Sequence, residues 1–167
     1  CQKTKRRITV MRKIKKLVAT LLAATMVMAM GVTAFAADSL ADGKYTAKQN
    51  LYKNSACTTT SMGDAALNDM RAEITIADDE ATLVVHTHEI TYLGLTGHLG
   101  KMVVNGKTVT PKQTTTNGVT DYYFTFTGLD ASTIYEGCVI TGKFTTYVGS
   151  MPMNATGYLK LTDITAK

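Results

Sequence analysis

Apolar and polar residues alternate along most of the chain after residue 42, with the two-residue period of a β-strand. The clearest runs are Arg71 to Ile76, Ala81 to His88 and Asp121 to Thr127, in which every second position is mainly apolar or aromatic. Many short runs with turn residues between them, and no crossover helices, are typical of an antiparallel sandwich. We therefore expect an all-β, immunoglobulin-like antiparallel β-sandwich of about eight strands, with one short helical turn near Ser61 to Leu67.

The same alternation assigns an inward face to each predicted strand. Asn105-Gly106 predicts a tight hairpin, Gln113 to Thr120 a loop, and Gly149 to Ala155 a turn before the last strand. The inward positions expected in one core are Ile74, Leu83, Val85, Phe124, Phe126, Ile140, Leu159 and Leu161.

The first 36 residues lack this alternation. Met11 to Lys16 is cationic, Leu17 to Thr33 is apolar and uncharged, and Ala34-Phe35-Ala36 has the small-x-small pattern that signal peptidase reads. We predict a signal peptide at residues 11–36, cleaved before Ala37 and followed by one mature domain at residues 37–167. Residues 1–10 precede a natural start and are interpreted as a non-native extension.

The alternative for the apolar stretch is a membrane anchor. It is disfavoured because the stretch is short and lacks a basic stop-transfer flank. No cysteine stands at the cleavage point, which argues against a lipoprotein. The mature protein is expected to be secreted, extracellular or cell-wall associated, without a membrane span.

Charge is divided unevenly between these two regions. The whole chain has 18 Lys and Arg against 13 Asp and Glu, a net charge of +5. Eight of the basic residues and none of the acidic ones precede Ala37, so the predicted mature chain has ten basic and 13 acidic residues and a net charge of −3. An acidic domain with a single arginine, Arg71, does not fit nucleic-acid binding.

Two cysteines, Cys57 and Cys138, remain after Ala37. In an oxidising compartment they could form a disulfide that closes a long loop, or they could be two buried thiols. The sequence leaves both readings open, because it does not show whether their Cα atoms approach each other.

Three histidines offer candidate metal ligands. His86 and His88 are two residues apart on one predicted strand and point to the same face, and His98 follows in a glycine-containing loop. Two histidines make an incomplete metal site, and a solvated sheet face explains them equally well. No nucleophile elbow, Ser-His-Asp set or carboxylate pair stands out, so we do not expect an enzyme.

Several stretches together resemble the near-iron-transporter (NEAT) family of haem-binding domains. Leu40 to Thr46 is similar to the family's DGxYT opening, and Ser61 to Leu67 is similar to the SMxxxxL short helix that covers one face of the haem. Two strands around an acidic turn, Arg71 to Ile76 and Ala81 to His88, follow in the family's order and spacing. The resemblance covers about residues 40–163.

The chain departs from the family at the last hairpin. Haem-binding members usually carry Tyr-x-x-x-Tyr there, with the first Tyr on iron, and this chain lacks that motif. In the family, the residues two and four after the second Tyr face inward. If Leu159 and Leu161 are that pair, Gly157 stands at the second Tyr and Met153 at the first.

The resemblance therefore implies haem as the cofactor, with a thioether in place of the usual phenolate. Some members of the wider family hold haem between two methionines, so Met153 and Met62 are the candidate iron ligands. Core or loop packing is the plain alternative for these methionines. The cofactor-binding residues expected from the resemblance are Ser61, Met62, Tyr147, Met151, Met153 and Tyr158, with Thr58 to Thr60 as further propionate donors.

The implied function is a secreted haem-binding and haem-transfer protein in iron acquisition. Its partners would be haem and a haemoprotein or another haem carrier. The rival is a haem-free NEAT-like or immunoglobulin-like module that binds a host haemoprotein or another protein. A third reading is a metal-binding protein that uses His86 and His88.

Overall fold

The computed structural model describes residues 39–167. The predicted signal peptide, its cleavage site and the extension at residues 1–10 lie outside the described residues. The strands are β1 (Gly43–Tyr52), β2 (Arg71–Ala77), β3 (Glu80–His88), β4 (Ile90–Tyr92), β5 (Leu95–Val104), β6 (Lys107–Val109), β7 (Lys112–Thr116), β8 (Val119–Asp130), β9 (Val139–Val148) and β10 (Met151–Ala166). Two short 3₁₀ turns, Met62–Ala66 and Ala131–Thr133, complete the elements of this region.

All strand pairs in the described region are antiparallel, and the expected all-β sandwich is confirmed. The sheet order is β4-β5-β9-β10-β1-β2-β3-β8-β7, with β6 paired to β5. Contacts of β5 with β3 and of β6 with β8 bring the two halves of this sheet face to face. The buried faces of both halves therefore form one core, as expected for two sheets packed over a shared interior.

The inward faces follow the predicted alternation. Seven of the eight predicted core side chains are buried, and Ile140 is partly buried against the same cluster. Leu159 and Leu161 are almost completely buried, and each contributes about 1.5 to 3 kcal/mol through removal of apolar surface from water. This burial fixes the phase of β10, because a one-residue slip would turn both leucines to solvent.

Residues 39–167 contain ten strands where about eight were expected. The predicted loop at Gln113 to Thr120 is wrong, because β7 and β8 form a hairpin there. Its turn is Asn117-Gly118, whose φ angles of 53° and 81° suit a two-residue hairpin connection. This Asn-Gly pair carries the same signal as Asn105-Gly106 and was available in the sequence.

Two further boundaries differ from the sequence prediction. The turn before the last strand is only Gly149-Ser150, because β10 begins at Met151 rather than at Thr156. His98 lies within β5 rather than in a loop, since β5 begins at Leu95. Both errors arise where turn-favouring residues, Pro152 and Asn154 in β10 and Gly97 and Gly100 in β5, continue a ladder that the local sequence does not reveal.

The two cysteines of this region are free thiols. Cys138 is buried near the start of β9, and Cys57 is half-buried in the connection after β1. Burial raises the pKa of the Cys138 thiol. Within residues 39–167, no helix is long and apolar enough to cross a membrane.

Candidate functional site

The 3₁₀ turn Met62–Ala66, called the covering turn below, is fixed to β1 by a buried aspartate. Asp64 accepts a 2.6 Å hydrogen bond from the Leu51 backbone amide, and further bonds come from the side-chain amides of Asn50 and Asn68. Ser61 is the N-cap, and its hydroxyl accepts from the Gly63 amide. These hydrogen bonds hold the covering turn in place, because a 3₁₀ turn of five residues is too short to be stable by itself.

The covering turn lies against the inner side of the sheet. A Cβ added at Gly63 would stand 3.3 Å from the Leu51 Cδ2 atom of β1 and 3.6 Å from the Leu99 Cδ2 atom of β5. Leu99 pairs with Thr146 of β9, and Thr146 pairs with Met153 of β10. The covering turn and Met153 thus belong to the same end of the inner face.

The β9–β10 hairpin carries Met151 and Met153 in the phase predicted for the last strand. Pairing with β9 runs without a break from Met151 to Lys160, so Met153 shares the face of Leu159. Met151 is 65% exposed and Met153 43% exposed, so neither packs as a core methionine. Met62 on the covering turn is 63% exposed.

Gly157, where the resemblance would place a tyrosine, lies beneath an aromatic ring. A Cβ there would stand 2.6 Å from the Phe144 Cδ2 atom and 3.0 Å from the Leu51 Cδ1 atom. Phe144 therefore fills the space that a side chain at residue 157 would need. This close approach explains why glycine occupies the position.

Tyr147 and Tyr158 lie on the opposite face of the hairpin from Met153. Tyr147 pairs with Pro152, and Tyr158 pairs with Thr141, so both alternate with the inward residues. The hairpin therefore does not bring these two tyrosines onto the face of the exposed methionines.

The Tyr147 ring belongs instead to a stack of three rings. His98 lies between Tyr122 and Tyr147, with ring centroids 4.9 Å and 5.2 Å apart and interplanar angles of 5° and 15°. The Tyr147 ring also covers Gly100, where a Cβ would come within 2.2 Å of it. Burial, followed by the charge of Glu89, raises the pKa of Tyr122. Sequence reasoning missed this stack, since its three members come from three strands.

His86 and His88 point to one face of β3, as predicted, but they have different partners. The Nε2 atom of His86 lies 3.6 Å from an Asp121 carboxylate oxygen, and its ring stacks on Tyr123 with a centroid distance of 4.4 Å. The Nε2 atom of His88 lies 3.0 Å from Asp69. Across residues 39–167, no group of three or more His, Cys, Asp or Glu side chains is placed to hold a metal ion.

Buried polar groups lie next to the covering turn. The Gln49 side chain is fully buried, and its Nε2 atom donates to the carbonyl oxygens of Leu67 and His86. Its Oε1 atom and the hydroxyl of buried Thr87 have no partner among the described residues. The amide of Gln49 therefore joins the end of the covering turn to β3 from inside the core.

Most of the large exposed hydrophobic side chains among the described residues lie on the covering turn and on two hairpins. Five of the seven large exposed hydrophobic side chains of the described region lie on the covering turn or at two hairpins joined by a 2.8 Å bond from the Gly149 amide to the Thr96 carbonyl. These five, called the apolar end below, are Met62, Leu93, Leu95, Met151 and Met153. A gap inside the core has no room for a water molecule and is not a candidate site.

The donors at the apolar end fit a soft, weakly ligated metal centre. A thioether is a neutral, soft ligand, and exposed methionines can turn toward an incoming group at little packing cost. Ser61 and the exposed residues Thr58 to Thr60 stand beside the covering turn as hydroxyl donors. No protein-family model matches the chain, and a comparison with curated proteins gave no match.

Proposed function

We propose that the domain is a secreted haem-binding protein that holds haem at the apolar end and transfers it to another carrier during iron acquisition. The observation that carries the proposal is the position of Met153: it shares the face of Leu159 on β10, is linked through Thr146 to Leu99 of β5 near the covering turn, and is 43% exposed. A core methionine would be covered there, whereas an axial ligand must be reachable.

In this proposal, the porphyrin lies between the covering turn and the β9–β10 hairpin. Met153 holds the iron from the hairpin, and Met62 approaches from the covering turn. Met151 adds apolar surface beside the ring, and Ser61 with Thr58 to Thr60 donates to the propionates. A thioether favours ferrous iron and raises the reduction potential relative to a phenolate, which suits a protein that gives its cargo away.

The direct test is a titration of the purified protein with haemin, followed by absorption spectroscopy in both oxidation states. Ligation by both methionines gives a low-spin spectrum, most clearly in the ferrous form. Met153→Ala should weaken haem binding by about ten-fold or more, which corresponds to about 1.4 kcal/mol. Val139→Ala, which removes an exposed hydrophobic side chain of β9, is the matched control. Unchanged affinity and spectrum in Met153→Ala would remove Met153 as the ligand.

A second candidate function is a haem-free module that binds a protein, such as a haemoprotein. It is favoured by Leu93 and Leu95, which are 85% and 52% exposed at the β4–β5 hairpin and are not iron ligands. Exposed apolar side chains grouped on adjacent hairpins are typical of protein interaction sites. Leu93→Ser with Leu95→Ser should abolish binding of such a partner and leave the haemin titration unchanged. Met153→Ala should weaken haemin binding and leave binding of the protein partner unchanged.

A further inference from the structure

Basic and acidic residues are divided between the two halves of the sheet. The strands β5, β9, β10 and β1 carry five lysines and a single acidic residue, Asp163. The strands β2, β3, β8 and β7 carry four acidic residues against one arginine and one lysine. Because acidic residues outnumber basic ones in the predicted mature chain, the first half is a local excess of positive charge.

Three of the five lysines, Lys101, Lys143 and Lys160, form a line across that half and are called the lysine track below. Lys101 of β5 is opposite Thr145 of β9, which is two residues from Lys143. Lys160 of β10 is opposite Val139, which is four residues from Lys143 in the other direction. These pairings place the three lysines on the outer face, away from the core. At the usual spacings of a β-sheet, the lysine track is about 20 Å long.

The lysines of the track are available to a ligand. Lys101 and Lys143 are exposed, Lys160 is half-buried, and none of the three has an ion-pair partner among residues 39–167. Asp163, the one acidic residue of these four strands, pairs with Arg71 and with Lys48 of β1. Unpaired charges of one sign on one face attract a ligand of the opposite sign.

A pair of tyrosines lies beside the lysine track. Tyr158 of β10 is opposite Thr141 of β9, so it stands between Lys143 and Lys160 on the outer face. Tyr52 of β1 is directly opposite Tyr158 on its other side. Both tyrosines are half-buried. A tyrosine presents a flat apolar ring with a polar edge, which suits packing against the apolar face of a sugar ring.

We propose that the lysine track and the two tyrosines bind an acidic polysaccharide, a linear glycan whose sugar units carry carboxylates. The carboxylates lie near the lysines, and sugar rings pack on Tyr158 and Tyr52. Nucleic acid fits this face less well, because guanidinium groups are preferred for phosphate recognition and Arg71 is engaged by Asp163. The face is opposite to that of Met153, so this binding does not depend on haem.

The test is the affinity of the intact protein for two carboxylated polymers, polygalacturonate and alginate, at low ionic strength. Fully methyl-esterified polygalacturonate, which has the same backbone without the charge, should not bind, and salt should weaken binding of the charged polymers. Lys143→Gln and Lys160→Gln should each lower the affinity about two- to five-fold, the range expected for an exposed ion pair. Lys112→Gln is the matched control, because it removes an exposed lysine of β7 in the other half of the sheet.

Tyr158→Ala separates recognition of the sugar from recognition of charge. It should lower the affinity for both carboxylated polymers and leave the affinity for polyphosphate, which has no sugar rings, unchanged. Thermal unfolding checks that each variant is folded.

Three results would overturn the proposal. If neither carboxylated polymer binds, or if the esterified polymer binds equally well, the lysine track does not recognise an acidic glycan. Equal losses in Lys112→Gln and Lys143→Gln would show that overall charge, rather than the lysine track, causes binding. DNA or polyphosphate bound more tightly than either carboxylated polymer would exclude a glycan as the preferred ligand.

Discussion

Asp64 shows how one residue can fix the position of a whole site. Its carboxylate is almost fully buried, and it satisfies the Leu51 amide where β1 ends and two asparagine side chains nearby. A buried backbone amide without a partner is costly, so the chain must supply an acceptor at this point. In the sequence, Asp64 is an ordinary residue of a short helical motif, and that motif does not indicate that its side chain bonds to the Leu51 amide of β1.

We expect Asp64→Ala to destabilise the protein by about 1 to 3 kcal/mol, because the Leu51 amide would lose its acceptor while remaining buried. The measurement is urea unfolding, with the shift in midpoint at an unchanged slope. Asp64→Asn keeps one oxygen for the Leu51 amide and should cost less than Asp64→Ala. Equal stabilities for Asp64→Ala and the unmodified protein would contradict this assignment.

Gly100 allows the three-ring stack to form, because the Tyr147 ring occupies the place of its missing side chain. Gly100→Ala should therefore push the ring off His98 and destabilise the protein by about 1 to 3 kcal/mol. Tyr147→Ala removes the obstacle, so adding Gly100→Ala to that variant should cost much less. A double-mutant cycle by urea unfolding measures the difference. If the changes in stability from Gly100→Ala and Tyr147→Ala are additive, overlap between the Tyr147 ring and residue 100 is not the cause of the destabilisation.

At the scale of the elements, the last hairpin was predicted correctly in phase and incorrectly in length. The phase depended on Leu159 and Leu161, whose burial the alternation indicated. The length depended on Met151 to Ala155, a run in which Pro152 and Asn154 favour a turn, and which extends the strand because β9 lies beside it. Tertiary pairing decides such segments, and a local pattern does not contain it.

The hairpin should accept a tyrosine at one of the two positions to which the resemblance assigns tyrosines, but not at the other. Met153→Tyr changes a 43% exposed position on a regular strand, so we expect stability within about 0.5 kcal/mol of the unmodified protein. Gly157→Tyr would place a ring where Phe144 and Leu51 already lie, and it should fold poorly or not at all. Thermal unfolding of the two variants distinguishes these results.

Haemin binding by Met153→Tyr extends the same test to function. A phenolate at this position should give a spectrum different from that of the thioether, with stronger retention of ferric haem. Retention weaker than in Met153→Ala would show that residue 153 does not face the iron.

At the scale of the whole molecule, the sequence predicted the fold class and the core faces, because alternation reports burial directly. It did not predict how the β4–β5 and β9–β10 hairpins meet, since that contact depends on backbone bonds such as the one from Gly149 to Thr96. The Leu and Met side chains of the two hairpins belong to one apolar end because this bond joins the hairpins. The methionines of the candidate site were predicted from a resemblance. Leu93 and Leu95 are candidate contact residues only because of their exposure and the bond that joins the two hairpins.

The two cysteines of the described region should differ in reactivity, since they lie in different surroundings. In the native protein at about pH 8, an alkylating reagent should modify Cys57 well before Cys138, whose raised pKa and burial both slow the reaction. Peptide mass spectrometry assigns each label. Denaturation without a reductant should then expose Cys138 to full labelling. A Cys138 that stays unlabelled until a reductant is added would indicate a disulfide instead.

Acid stability should depend on a link between three strands. Arg71 of β2 donates to the Thr46 carbonyl on β1 and to the carboxylate and carbonyl of Asp163 on β10. The hydrogen bond from Arg71, followed by the nearby charge of Lys48, lowers the pKa of the Asp163 carboxyl. The unfolded chain therefore binds this proton more readily than the folded protein, so acid favours unfolding at this site.

The stabilisation by Asp163 is complete above the ordinary Asp pKa of about 3.9 and is lost as pH falls through the lowered pKa. We expect Asp163→Asn to lower the urea midpoint at about pH 7 and to lose that difference progressively as the pH falls through the lowered pKa of the native carboxyl. The effect should be small, because the pair is exposed and screened by solvent. Asp42→Asn, at an exposed position with no ion pair among residues 39–167, is the control and should follow the unmodified protein throughout. A gap between Asp163→Asn and the unmodified protein that stays constant from neutral to acid pH would mean that the side chain acts through packing rather than through its charge.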